Sequence, residues 1–336
     1  MFFNLLTAIQ PRIPIAMLAL TLAAVAGIAT GPVLGSGRPF FGILMDGLFG
    51  GIGVRLDKAA RGPKDLIVRG VVIAVMGISF AVFVGLMMAS ISAKLPVHGV
   101  TEIVLLSLTT SSGAVWRTLL RLYAAMKDNK VRGAYFAVAR STNTDLSAAD
   151  DFTITRTGMG FAARSFDKSV VAPVFWYLLA GLPGAYIYAG IAALAARFGR
   201  DGFTRGFGTV ALGVEKVAGF IPSTIAGFFM ALGGLFTPTG GMTRAFRGIL
   251  ARKGRAPYVE GGLALTAMAW SLNVVLGGPV TDRDGRILQK VWAGPEGATA
   301  RLEAGHLRRG VYICLMAYLL FMAALMGLYG LLGRVF

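Results

Sequence analysis

The side chains best suited to chemistry in this sequence are charged ones at the ends of apolar runs. Arg164, Asp167 and Lys168 precede one run, Glu215 and Lys216 another and Glu260 a third, which Asp282 follows. Residues at such edges anchor helices in water by default. If those ends converge on one face, Arg140, Arg164, Lys168 and Lys216 would supply phosphate or carboxylate contacts for an anionic substrate, because guanidinium and ammonium groups make charge-assisted hydrogen bonds to such oxygens. Asp46, the one acid inside a shorter apolar stretch, is expected at the interface. His98 and His306 are far apart and belong to no HExxH pattern, and Cys314 is the sole cysteine, so neither a metal site nor a disulfide within the chain is expected. The GxxxxGK[ST], GxGxxG and GxSxG signatures of nucleotide binding and hydrolysis are absent from the sequence.

These residues need a membrane scaffold to position them. Of 336 residues, 55% are hydrophobic and 15% charged, against about 25% charged in soluble proteins, and mean hydropathy is +0.68. Runs without a charge cover 13–37, 70–93, 169–196, 217–243, 261–281 and 310–333, each meeting the roughly 20 residues a spanning helix needs. The first is longer than a signal-peptide core and is read as a retained helix. The expected fold is therefore all-α, a polytopic bundle of five to six hydrophobic segments within a single membrane domain, 1–336. The formal charge of +17 fits basic residues held against anionic lipid, with no aromatic RNA-binding motif beside them. The bilayer is the expected partner and nucleic acid is not.

If all six runs cross, basic residues divide almost evenly between the two faces and the positive-inside rule fails to choose an orientation. One or more of the runs is therefore expected to enter and leave on the same side. The strongest candidate is 169–196, where Pro173 and the Gly181-Leu-Pro-Gly184 signal fall; a kinked helix is the alternative. Residues 117–168 form the largest polar stretch, expected to carry amphipathic interfacial helices. Within it, Asp145 to Asp151 reads as a helix start with an acidic or hydroxyl cap and carboxylates in the first turn. Asp282 to Arg286 reads as a hairpin-like turn. Gly77, Gly85, Gly227, Gly233, Gly234, Gly327, Gly330 and Gly333 are expected to pack helices closely.

The order of motifs resembles the CobD/CbiB membrane proteins of cobalamin biosynthesis. Leu276-Gly277-Gly278-Pro279 looks like the family's Leu-Gly-Gly-Pro, and Val170 to Trp176 with Pro173 is similar to its Ala-Pro-Leu-Phe segment. Leu182-Pro183-Gly184 followed by Tyr188 resembles its Gly-Leu-Pro-Gly turn and following Tyr, and Glu215 with Pro222 matches its Asp-Asp-x-x-Asn-x-x-Pro in spacing. Arg140-Ser-Thr, Gly31-Pro32 and Arg38-Pro39 are similar to further family motifs. The resemblance implies an ATP-dependent amide ligation, with ATP and Mg as cofactors, joining aminopropanol or its phosphate to a carboxylate of a corrinoid, adenosylcobyric acid. It also implies a bacterial inner-membrane location.

The departures from the family pattern fall on polar groups. Its Ala-Glu-Asn-x-Val-Asp-Gly stands here as Ala163-Arg164-Ser165-Phe166-Asp167-Lys168-Ser169, and its Tyr-Lys-x-x-Asn-Thr-Leu-Asp as Tyr188-Ala189-Gly190-Ile191-Ala192-Ala193-Leu194-Ala195. Glu215 is the one heir to the family's acids and so the expected catalytic residue. Losing charged contacts costs roughly 10² to 10³ in rate per donor, so a divergent paralogue with weakened or absent ligation is expected. The alternatives are a non-catalytic subunit or sensor with a protein partner, as in the related AmpE-like branch, and a small-molecule transporter, which a lack of intramembrane charge disfavours.

Overall fold

A computed structural model describes residues 2–335 apart from 59, 129–134, 201–202, 204–205, 238–240, 283–284, 286 and 289–290. The order is α1 (Phe2–Ile9), α2 (Arg12–Thr30), α3 (Phe40–Leu56), α4 (Pro63–Lys94), α5 (His98–Ser107), α6 (Gly113–Lys127), α7 (Tyr135–Thr142), β1 (Thr144–Asp145), α8 (Asp151–Phe166), α9 (Ala172–Phe198), α10 (Thr209–Gly233), α11 (Met242–Leu250), α12 (Gly262–Leu272), β2 (Val280–Asp282), β3 (Ile287–Leu288) and α13 (Ala304–Val335). The fold is the all-α bundle that the hydropathy pattern predicts. Among the described residues five helical segments are long and apolar enough to cross a membrane: Leu6–Thr30, Pro63–Lys94, Asp151–Phe198, Thr209–Phe236 and Ala304–Arg334. Their outward faces are apolar, with Phe83, Val217 and Phe220 among the most exposed large side chains. In water such a surface would drive aggregation; in lipid it is the stable face. This is a multi-pass membrane protein.

The run 261–281, counted as a span, does not form one. Helix α12 stops at Leu272, where Asn273 takes a left-handed conformation with φ 56° and turns the chain out of the helix. An antiparallel three-stranded sheet follows, ordered β1-β2-β3. The strands β2 and β3 flank the turn expected at 282–286, of which residues 283, 284 and 286 lie outside the described set.

The run 169–196 is interrupted where its glycine and proline predict. Helix α8 continues through a π turn, Asp167–Val171, into α9, and Gly181 breaks α9 with φ 67° and ψ −158°. Residues 156 and 196 line one cavity, although a straight helix would hold them about 60 Å apart. The chain therefore folds back at Gly181. Two side chains satisfy carbonyls freed by such breaks. Arg12 donates to Leu178 O at 3.0 Å beside the fold. Trp176 Nε1 donates to Ala218 O at 3.1 Å, the carbonyl to which Pro222, lacking an N–H, cannot donate. Pro173 follows the π turn inside this continuous helix, and the Ser169 carbonyl to which it cannot donate accepts from Ser111 N at 3.0 Å.

Asp150 caps α8 by accepting from Thr153 N at 2.8 Å. Burial works against its ionisation, but the Thr153 hydrogen bonds and nearby Arg156 outweigh it and hold its carboxyl below the usual range. A depressed native pKa contributes stability above the unfolded value, near 4, that is lost as pH falls through the native one. Asp150→Ala is expected to cost about 1 kcal/mol at neutral pH, with the two proteins converging in thermal unfolding as pH falls through the lowered native pKa of Asp150. A constant difference across pH would assign the cost to something other than the cap.

Candidate functional site

The π turn between α8 and α9 is the centre of the site. A π turn inserts an extra residue into an α-helix and recurs at functional sites. Here Asp167 and Lys168, neighbours in sequence, meet the same group, Ser223 of α10. Lys168 Nζ donates to Ser223 Oγ at 3.0 Å, and Ser223 Oγ donates to Asp167 Oδ2 at 2.6 Å. Lys168 Nζ also lies 3.2 Å from Asp167 Oδ2 and 2.8 Å from Glu215 Oε1. That Glu215 oxygen accepts from Tyr188 at 3.1 Å and from Tyr258 at 2.8 Å. Burial pushes the Tyr258 hydroxyl up from its ordinary value, so it stays a donor. Gly219 permits the approach, since a Cβ there would stand 2.0 Å from the Tyr258 hydroxyl.

The cluster is charge-rich and nearly dry, with Asp167 1% and Glu215 4% exposed. Two acids share one lysine, and a buried pair of this kind is tolerated only when geometry and hydrogen bonds offset desolvation. Both acids lie inside continuous helices instead of at span edges, because paired charge lets α8 and α10 begin earlier than a count of uncharged residues allows. Both acids fall within helical segments long and apolar enough to cross a membrane, Asp151–Phe198 and Thr209–Phe236, where no charge was expected.

Against this cluster lies a cavity of about 120 Å³. One wall is cationic, carrying Arg156, Arg164 and Lys168 with the hydroxyls of Thr157, Ser165 and Ser169. The facing wall, on the return leg after Gly181, is Ala189, Ala192, Ala193 and Ala196. Arg38, Asn143, Gly277 and the apolar Phe161 and Leu265 are among the other lining residues, and Glu260 is the one acid among those described. Arg164 Nε makes no hydrogen bond. Arg156 donates to Ala300 O at 2.9 Å and stands 5.1 Å over the Trp292 ring.

Arg38 lies in a second ion network. It pairs with Asp46 at 2.9 Å, and Asp46 reaches Arg197 at 3.4 Å. Asp46 therefore faces protein, not the interface as expected. Arg200 pairs with Asp282 and donates to Asn143 O at 2.8 Å. These groups come from distant segments, and nothing in the sequence placed Asp46 with Arg197.

Of the residues singled out from sequence, the structure brings Glu215, Arg164, Lys168 and Tyr188 to one place. Arg140 is exposed beside Gly35 and is not among the lining residues. Lys216 is exposed on the far face of α10, 5.8 Å over the Phe203 ring. Pro183 packs against Gly85, and Pro222 is buried beside Ser223. Gly277 and Gly278 take φ 88° and 83°; Gly277 lines the cavity, Trp292 covers Gly278, and Pro279 leads into β2.

The site is that of a membrane-embedded helical protein with a buried ion cluster beside a cationic cavity. Comparison with known proteins gives the family: the model of the CobD/Cbib proteins matches residues 46–314, and the chain belongs to that family. The cobalamin biosynthesis protein CobD of Brucella melitensis is 27% identical over 225 residues, 65% of this chain and 67% of its own length. The CobD of Rhodobacter capsulatus is 31% identical over 161 residues, 48% of this chain and 49% of its own. The probable CobD of Methanocaldococcus jannaschii is 26% identical over 173 residues, 51% of this chain and 56% of its own. No solved structure matches.

Membership gives the replaced positions a location. Arg164, Ser165 and Lys168, where the family pattern has Glu, Asn and Asp, line the cavity, and so do Ala189, Ala192 and Ala193, where it has Lys, Asn and Thr. The departures scattered over two motifs thus converge on one small volume. Mg fits this donor set poorly. The acids Asp167 and Glu215 are held by Lys168, and among the described residues no three His, Cys, Asp or Glu side chains are grouped to hold a metal.

Proposed function

We propose that this protein is a divergent CobD/CbiB membrane protein that binds a small anion in the Arg164–Lys168 cavity and has weakened or lost amide ligation. The observation that carries this reading is the inversion of charge: cations stand at two positions where the family pattern has acids, and Lys168 engages Glu215, the one heir to the family's acids. Glu215, with two tyrosines and a lysine on it, is a structural partner of Lys168 more than a base waiting for substrate. The cavity's size supports a small ligand. At 10–15 Å³ per water-sized centre, about 120 Å³ takes roughly ten such groups, too few for a corrinoid macrocycle, which could insert only a side chain. The bacterial inner membrane is the proposed location. With ligation lost, a sensor or subunit role with a protein partner is the second reading, favoured by the sequestered Glu215.

The test is a pair of measurements on the detergent-purified chain. Thermal unfolding is followed with adenosylcobyric acid, aminopropanol phosphate and Mg-ATP added in turn, since binding to the native state raises the melting temperature. Amide product is sought by mass spectrometry in the same mixtures. We expect a shift with the small phosphate and no product. Formation of the amide would overturn the loss of ligation, and no shift with any anion would overturn the binding site.

A further inference from the structure

We infer that helix α11 and the loop after it form a docking surface for the headgroups of anionic phospholipid, separate from the cavity and independent of what the cavity binds. Three observations carry it.

The first is charge. Between Met242 and Arg255 the chain carries Arg244, Arg247, Arg252, Lys253 and Arg255 and no acid. Arg244 turns inward and donates to Ser271 O at 3.2 Å, and the other four are exposed. The basic stretch at 55–69 differs in kind, since Asp65 there pairs with Arg61 and Arg69 and cancels part of its field. Like charges without acids repel one another, and an anionic leaflet relieves that repulsion because each Lys or Arg gains from its surface potential.

The second is shape. Ala245 and Gly248 are the buried side of α11, and Gly248 lies against the Trp270 indole, where a Cβ would stand 2.3 Å from the ring. The loop that follows is pinned at Gly254, whose carbonyl accepts from Trp270 Nε1 at 3.0 Å and from Gly294 N at 3.0 Å. Gly254 takes φ 70°, and a Cβ there would meet Gly294 O at 2.3 Å, so the loop closes in this way only with glycine. Arg252, Lys253 and Arg255 thus project from a fixed backbone, and little order has to be acquired when they meet headgroups.

The third is the apolar margin, which selects lipid over a soluble acidic partner. Helix α11 follows the membrane-length segment Thr209–Phe236, and its Phe246 ring stands 5.8 Å from that of Phe228, which is itself exposed on that segment. Leu250, at the end of α11, is 81% exposed. Cationic side chains beside exposed Leu and Phe suit a helix lying in the membrane interface, its apolar groups among acyl chains and its cations at the phosphates. An acidic protein or a nucleic acid would satisfy the charge and leave Leu250 and Phe228 in water.

The test uses the full chain in phosphatidylcholine nanodiscs, with Leu250→Trp placing an indole on the surface and the unsubstituted chain as the background. Brominated acyl chains quench that indole, so dibrominated phosphatidylglycerol is compared with dibrominated phosphatidylcholine. Phosphatidylglycerol is expected to associate about fivefold or more tightly, the factor that one basic side chain gives near an anionic surface, and the preference to fall to about twofold or less in about 0.5 M salt. Combining Arg252→Gln, Lys253→Gln and Arg255→Gln should abolish the preference. Combining Arg55→Gln, Lys58→Gln and Lys64→Gln, which removes the same charge from exposed residues of the mixed stretch, should keep it. Thermal unfolding establishes that each variant is folded, and Arg252→Lys with Arg255→Lys, which preserves the charge, should retain the preference.

Equal association of the two lipids would overturn the inference. Loss of the preference in both triple variants would do the same, because the attraction would then belong to net charge and not to this surface. Absence of quenching by either lipid would place Leu250 outside the bilayer and overturn it too, leaving the patch to an acidic partner in water.

Discussion

Replacing Lys168 with methionine is expected to lower the unfolding free energy by about 3–5 kcal/mol, because it strands two nearly dry carboxylates without their shared cation. The geometry sets the size of the effect. Lys168 Nζ lies 2.8 Å from Glu215 Oε1 and 3.2 Å from Asp167 Oδ2, and both acids are almost wholly buried. Neither can turn to water, so each must carry its desolvation cost alone or take up a proton. The measurement is thermal or denaturant unfolding in detergent, followed by intrinsic fluorescence. A second variant separates charge from packing: Lys168→Met with Asp167→Asn and Glu215→Gln removes the ions together and keeps their volumes. It should recover most of the loss, because a buried ion cluster contributes little beyond what its neutral isosteres do. A loss below about 1 kcal/mol in the single variant, the size of a surface pair, would mean that water reaches the cluster.

How much of this was legible in the sequence depends on the range of the interaction. Spans were legible because each is a local sum of apolar residues, and the break at Gly181 because glycine and proline act on their own backbone. The run 261–281 misled for the same reason: composition does not register that Asn273 ends the helix halfway. Arg164 and Lys168 could be named as anion contacts, but their distinction from Arg140 and Lys216 could not. All four are basic residues near span ends, and only the packing of α8 against the folded return leg places two of them on a cavity. Trp176 on Ala218 O and Arg12 on Leu178 O are equally invisible, since each repairs a break in a remote segment. Motif departures carried more information than motif matches. Each replacement looked like an isolated loss in the sequence, and Arg164, Ser165, Lys168, Ala189, Ala192 and Ala193 meet on one cavity.

The glycines divide in the same way, and the sharpest prediction lies with a pair that no spacing rule selects. Gly77, Gly85, Gly227, Gly233 and Gly234 pack closely against a neighbouring segment, whereas Gly327 and Gly330 have nothing within 4 Å of an added Cβ. The tightest approach joins α2 to α6. A Cβ on Gly113 would stand 1.9 Å from Ala24 O, and one on Gly27 2.4 Å from Ala114 N, so in both cases the obstacle is backbone and no rotamer relieves it. Gly113→Val is expected to cost about 3 kcal/mol or more, at the upper end for overpacking. Gly327→Ala, on an exposed helix face, should stabilise by about 0.5–1 kcal/mol through helix propensity. Unfolding of the two variants side by side tests the sign as well as the size; equal effects would mean that α2 and α6 do not touch. The consequence reaches the cavity, because the turn before α6 is tied to the site: Ser111 N donates to Ser169 O at 3.0 Å, and Ser111 Oγ to Gly37 O at 2.6 Å. Prising α6 from α2 pulls on Ser169 at the π turn, so a folded remnant of Gly113→Val should bind aminopropanol phosphate more weakly even though Gly113 is not among the residues lining the cavity.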